Sequence, residues 1–193
     1  MLWSMKEGRV EAGVDEAGRG CLSGPVHAAA VIWFAPGDPQ QLDFPEIKLV
    51  RDSKTLSEKQ RIVARDFVKS RAWAWGVGVA SVEEIERLNI LKATMLAMRR
   101  ALDSMILGTG ESGGRCRAVS ADCPIPDHLL IDGERFNGYQ IPVGHTDFVS
   151  HSCVVEGDKT YRSVAAASIL AKTHRDAHMI EEMHPRHPEY EWN

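Results

Sequence analysis

What the sequence lacks narrows it first. No apolar run approaches the roughly 18 residues that a membrane-spanning helix requires. The opening stretch, Met1-Leu-Trp-Ser-Met-Lys-Glu-Gly8, has no long apolar core of the kind a signal peptide carries, so a cytoplasmic protein is expected. There are only four cysteines, Cys21, Cys116, Cys123 and Cys153, and no two are spaced for zinc. Cys116 and Cys123 could meet across a loop, but cytosolic thiols stay reduced. His174, His178, His184 and His187 crowd the end of the chain without a His-Glu-x-x-His arrangement, which again argues against zinc. An excess of positive charge is missing too. Lys and Arg number 23 against 27 Asp and Glu, a net charge of −4, so the molecule as a whole exerts no long-range pull on nucleic acid. Any polyanion must be met by a local basic face, with cations to offset the acids. Internal repeats and interdomain linkers are absent. With 193 residues, 44% of them hydrophobic and 26% charged, residues 1–193 suit one domain with a full core.

What is present is organised around residues 10–26. Val10, Ala12 and Val14 alternate with their neighbours, the period of a strand with one buried face. That strand runs into Asp15 and Glu16, then into Gly18-Arg19-Gly20. Paired acids suit a hard divalent cation such as Mg²⁺, and flanking glycines let a backbone approach a phosphate. Gly18-x-Gly20 is a weak match to a dinucleotide fingerprint, because the third glycine falls at Gly24, one place too late, no helix pattern follows, and two acids just before it would repel a pyrophosphate.

Residues 25–34 read as a buried second strand that pairs antiparallel with the first, broken by Ala35-Pro-Gly-Asp-Pro39. Asp52-Ser53-Lys54 leads into a helix that Ser57 can cap, with Arg61, Arg65 and Lys69 on one face as a solvated stripe or a phosphate-facing edge. A third strand is expected over 73–80, where Gly76 and Gly78 mark a close approach or a bulge. Ser81, with Glu84 in capping-box position, opens one helix expected to run to Ile106 and to bury Ile85, Leu88, Leu91, Met95, Met98 and Leu102. Residues 107–127 read as a loop. His128-Leu-Leu-Ile-Asp132-Gly133 is a strand ending in an acid, and 148–156 is a further strand that delivers Gly157-Asp158. Ser163 is expected to cap a last helix reaching Met183, ended by Pro185 and Pro188, with Ser168, Lys172 and Arg175 on one face.

Three strand ends thus carry acids: Asp15-Glu16, Asp132 and Asp158. Carboxyl ends of strands in open α/β sheets are where sites assemble. Four converging carboxylates repel one another unless divalent cations sit between them, and two metals are the usual solution for phosphodiester hydrolysis. An acid after a strand is also an ordinary turn former, so the convergence carries the argument and no single residue does. One difficulty is built in: adjacent strand residues point to opposite faces. Either the strand has ended by Glu16, or Glu16 contributes through its main-chain carbonyl.

Asp15-Glu16-Ala17-Gly18-Arg19-Gly20 resembles the N-terminal signature of the type 2 ribonucleases H, the ribonuclease HII group. Ile131-Asp132-Gly133, Gly157-Asp158 and Ala165 to Asp176 resemble later family stretches in the same order. The resemblance implies a ribonuclease H-like α/β fold, a mixed sheet flanked by helices. It implies cleavage of the RNA strand of RNA/DNA hybrids and nicking of duplex DNA at embedded ribonucleotides, leaving 3′-hydroxyl and 5′-phosphate ends. Asp15, Glu16, Asp132 and Asp158 would be the catalytic, metal-binding acids for two divalent cations, Mn²⁺ or Mg²⁺. Gly18, Arg19 and Gly20 would sit against the 2′-hydroxyl that distinguishes RNA from DNA. Ser53, Lys54, Asn89, Ser168, Lys172 and Arg175 would bind the substrate, and a monomer is expected. The family usually continues past the point where this chain stops, with a segment bearing a substrate-recognising tyrosine, so the resemblance also implies a domain lacking that segment. Two alternatives are kept open: a nucleic-acid-binding remnant with an incomplete site, and another two-metal nuclease or recombinase on the same fold.

Overall fold

The strand that carries the first acids is also the centre of the sheet. In a computed structural model, which describes residues 1–2, 4–5, 8–33, 44–108, 114–116, 124–142 and 148–192, β1 (Glu11–Ala17) pairs antiparallel with β2 (Val26–Ile32) and parallel with β5 (His128–Asp132). β2 continues antiparallel to β3 (Ala74–Ala80) and β3 to the short β4 (Gly114–Cys116). On the other side β5 pairs parallel with β7 (Phe148–Val154), which takes the two-residue β6 (Tyr139–Gln140) antiparallel at the edge. The result is a seven-stranded mixed sheet, ordered β4-β3-β2-β1-β5-β7-β6.

Alternation along β1 decides which helices cover which face. Ala12 and Val14 point to a core shared with α3 (Ile90–Leu107), where Met98, Ala101, Leu102 and Met105 are buried. Gly13 faces the opposite way, where α5 (Arg162–His178) comes so close that an added Cβ would stand 2.2 Å from the Ser163 carbonyl carbon. Gly76 and Gly78 do the same for α3, since a Cβ on either would fall within 2.4 Å of α3 backbone atoms. These two strand glycines therefore mark close packing of a helix, and not a bulge. On the α5 face, α1 (Glu58–Arg71), with the capping box at Ser57 and Gln60, completes a second core of Trp33, Val50, Phe67, Ile169 and Leu170.

Four expectations are corrected. The helix expected over 81–106 is two helices, α2 (Val82–Leu88) and α3, because Asn89 adopts φ 70° and its side chain accepts from the Lys92 amide to start the second. With ψ at 162° the backbone there is extended at positive φ, a conformation that favours glycine, so the chain turns at Asn89 while its side chain caps the next helix. Ser163 is not the cap of α5. That place is taken by Tyr161, and Ser163 lies buried in the first turn. The last helix changes character after His178, passing through a π-helical turn at Met179–Met183, and Pro185 sits inside the following turn, His184–Arg186. Finally, the strand before Asp158 stops at Val154. Cys123, and with it the expectation that Cys116 and Cys123 stay reduced, lies outside the described residues, while Cys21 and Cys153 are free thiols.

Candidate active site

Val14 and Ile131 are the last register partners of the parallel β1–β5 ladder, so Asp15 and Asp132 follow side by side on neighbouring strands. Asp15 is only 5% exposed. Its Oδ1 accepts from the Glu16 amide at 2.7 Å. Burial, then the charges of Glu16 and Asp132, hold its carboxyl well above the usual range, while a hydrogen bond from Ser168 pulls the other way. β1 does not end before Glu16 but runs on to Ala17. Glu16 therefore leaves the strand opposite to Asp15, yet its carboxyl still feels Asp132. Burial raises it, the Arg19 guanidinium at 3.5 Å lowers it, and Glu16 Oε2 is enclosed without a hydrogen-bond partner among the described residues.

Asp132 Oδ1 accepts from the Gly157 amide at 2.7 Å, which ties the end of β5 to the start of α4 (Gly157–Thr160). Asp158 therefore arrives on the first turn of a short helix and not on a strand end, delivered by Glu156 at φ 55°. It is 4% exposed. Burial and the charges of Asp132 and Asp52 push its carboxyl up, and Lys54 eases it down. The four acids expected from the sequence thus lie near one another, but Asp158 comes there on a short helix and not on a strand end. Asp52, read from the sequence only as the start of Asp52-Ser53-Lys54 and not among the acids, accepts from the Lys54 amide and caps the turn Ser53–Thr55, and both residues act electrostatically on Asp158.

The donors are all hard oxygens, one is buried without a partner, and three of the four acids are held above their usual range by burial and mutual repulsion. That is the condition a divalent cation relieves. The carboxylates are coupled rather than caged, because among the described residues no three His, Cys, Asp or Glu side chains close around a metal position.

The expected substrate residues divide into two groups. Gly18, Arg19, Gly20, Lys54 and Asn89 lie in exposed segments, and Lys172 is partly exposed and paired with Asp176 at 2.7 Å. Ser53, Ser168 and Arg175 do not present themselves to a ligand. Ser53 and Ser168 are buried and hydrogen-bonded to each other at 3.0 Å. Because the Asp15 carboxylate can only accept when ionised, Ser168 donates to it and so accepts from Ser53. Arg175 is 7% exposed and donates to the carbonyls of Pro25 and Ser23. The basic stripe of α1 is half-buried, and its cations are engaged within the protein, Arg65 with the exposed Asp66 at 2.9 Å. Arg61 donates to the carbonyls of Leu56 and Ser53, and Lys69 lies over the Trp75 ring.

Residues 12–193 match the family model described as Ribonuclease HII. The chain belongs to the ribonuclease HII family. It is 46% identical over 185 residues to the ribonuclease HII of Bacteroides thetaiotaomicron, covering 95% of this chain and 76% of that one. The ribonuclease HII of Parabacteroides distasonis is also 46% identical, over all of this chain and 80% of its own length. Among solved structures, the fold is similar to the PCNA:RNase HII complex from Archaeoglobus fulgidus, with a TM-score of 0.63 and 24% identity over 92% of this chain and 77% of that one. It is likewise similar to Bst-RNase HIII in complex with Mn²⁺, with a TM-score of 0.67 and 18% identity over 93% of this chain and 56% of that one. The ribonuclease HII chain described here has the ribonuclease H-like mixed α/β fold expected of it, and is a type 2 ribonuclease H, a hydrolase acting on RNA/DNA.

Proposed function

We propose that residues 1–193 form one catalytic domain, a divalent-metal-dependent endonuclease that cuts the RNA strand of RNA/DNA hybrids and nicks duplex DNA at embedded ribonucleotides, leaving 3′-hydroxyl and 5′-phosphate ends. The observation that carries it is the coupling of Asp15, Glu16, Asp132 and Asp158 at one end of β1 and β5. Those four side chains would hold two divalent cations, Mg²⁺ or Mn²⁺. Such a pair, when bound, supplies an activated water and stabilises charge on the leaving oxygen. The remaining work falls to this chain. Gly18 and Gly20 keep side chains out of the way where the backbone would read a 2′-hydroxyl. Arg19, Lys54 and Lys172 offer cations to phosphates, binding that positions but does not specify. Ser168 and Ser53 orient Asp15 from inside.

The test is a labelled duplex bearing one ribonucleotide, incubated with Mn²⁺, with Mg²⁺ and with chelator, beside an all-DNA control. Nicking only at the ribonucleotide and only with metal is expected. Asp15→Asn and Asp132→Asn should abolish it, leave unfolding temperature without metal equal or higher because repulsion is relieved, and remove the rise in unfolding temperature that Mn²⁺ gives the parent chain. Full turnover in either variant overturns the metal assignment. Binding without cleavage in the parent chain would instead favour a nucleic-acid-binding remnant.

A further inference from the structure

Arg175 was expected to meet a phosphate, yet its guanidinium is enclosed. Among the described residues both of its hydrogen bonds go to backbone carbonyls of the loop 18–25, from Nη2 to Ser23 at 2.8 Å and from Nε to Pro25 at 3.3 Å. The same loop begins on it. Gly18 has φ +101°, and a Cβ there would stand 2.3 Å from Arg175 Nε and 2.7 Å from its Cδ. Gly24, at φ +82°, closes the loop, and its Cβ would stand 2.5 Å from Met179 Sδ and 3.5 Å from Arg175 Nη2. Both ends of the loop therefore rest on one guanidinium with no side chain between.

Above that base the loop has little of its own to hold it. Among the described residues the Gly-Arg-Gly turn is held by a turn hydrogen bond from the Cys21 amide to the Gly18 carbonyl at 3.2 Å and by the exposed contact of Arg19 with Glu16 at 3.5 Å. Gly20 has nothing within 4 Å of where a Cβ would be, and Leu22 is fully exposed. The support, by contrast, is stiff: Arg175 lies on the helix whose Ser168 bonds to Asp15 two turns earlier. Directly after it, the Met179 amide bonds to both the Arg175 and the Asp176 carbonyls as α5 passes into its π-helical turn, a device common near functional sites.

We propose that Arg175 is a positioning residue that clamps the loop 18–25 to α5, setting the Gly18-Arg19-Gly20 turn against the acid cluster for ribonucleotide discrimination. Arginine is required because its planar fork serves two carbonyls at once, whereas a lysine is a point charge. Without the clamp the turn drifts relative to Asp15, and misplacements of an ångström are costly in rate. The inference rests on the role proposed above for the turn.

The experiment compares the full chain with Arg175→Lys and Arg175→Met. It measures kcat and KM with Mn²⁺ on a single-ribonucleotide duplex, the salt dependence of binding to plain duplex DNA, and hydrogen exchange of the amides of residues 18–25. For Arg175→Lys a fall in kcat of about tenfold or more is expected from misplacement, with KM little changed. Faster exchange confined to the loop and an unchanged salt slope should accompany it. A phosphate-contacting Arg175 would instead lower the salt slope of the Met variant by about one and leave loop exchange alone, which overturns the clamp. Unchanged kcat in the Lys variant overturns it as well. Should the Met variant not fold, the Lys variant still decides through kcat and exchange. If the parent chain fails to cut at ribonucleotides, the proposed function falls, while the exchange data still decide whether Arg175 holds the loop.

Discussion

Two glycines of one tripeptide are glycines for different reasons, and that difference can be measured. Gly18 sits at φ +101° directly against Arg175, so Gly18→Ala suffers both the left-handed penalty and a clash, a loss of roughly 2 kcal/mol or more by unfolding. Gly20 has no positive φ and open space around it, so nothing in the free protein forbids a side chain. Gly20→Val should therefore keep its stability within about 0.5 kcal/mol, as exposed substitutions usually do, and lose cleavage far more than duplex binding. Denaturant unfolding and turnover, measured on both variants, separate the cases. Normal turnover in Gly20→Val would make that glycine a matter of chain geometry alone. Sequence patterning located the tripeptide but could not distinguish its two ends, because the partner of Gly18 is 157 positions away on α5. The same distance hides the role of Ser168 and Arg175: one face of a helix is legible from spacing, but whether that face meets water or a loop is not.

At the scale of elements, the five longer strands were legible to within about two residues, because period-two alternation and the acids that follow are local signals, whereas the short β4, inside the stretch read as a loop, and the two-residue β6 were not. β5 ends at Asp132 as its pattern predicts, and β3 differs from expectation only in its first residue. Helix boundaries were less legible where one residue serves two elements. Asn89 shows this: apolar spacing runs through it, yet the backbone turns at φ 70° and its side chain caps α3. Asn89→Ala should cost about 1 kcal/mol for the lost cap, since the backbone at φ 70° and ψ 162° is unfavourable for alanine and asparagine alike. Asn89→Gly keeps the conformation and should lose only a few tenths of a kcal/mol. The glycine variant thus isolates the proposed substrate contact. Weaker hybrid binding at unchanged stability supports that contact, and unchanged binding reduces Asn89 to a helix junction.

For the whole molecule, net charge of −4 gave no hint of where positive charge would be concentrated or enclosed. One consequence is a pH dependence that belongs to the layer between β2 and α5. His27 is buried on β2 with its ring 5.4 Å from that of His178 and with Nδ1 unpartnered among the described residues. Burial first, then the neighbouring His178, His174 and Arg175, push it down to about 3. In the unfolded chain the same imidazole titrates near the ordinary value of about 6.5. Between those two values the unfolded state binds a proton that the folded state refuses, so stability is complete above about pH 6.5 and falls as acid is added. By linkage, His27 alone should withdraw about 2 kcal/mol between pH 7 and pH 5. His174, pushed down to about 4 mainly by burial, acts in the same direction. Denaturant unfolding at both pH values checks this, with His27→Gln as the comparison. The variant should lose less stability than the parent over that interval, whatever its stability at pH 7. Equal losses in the two chains would mean that His27 is solvated or protonated in the folded protein, and that the β2–α5 layer opens more readily than its packing indicates.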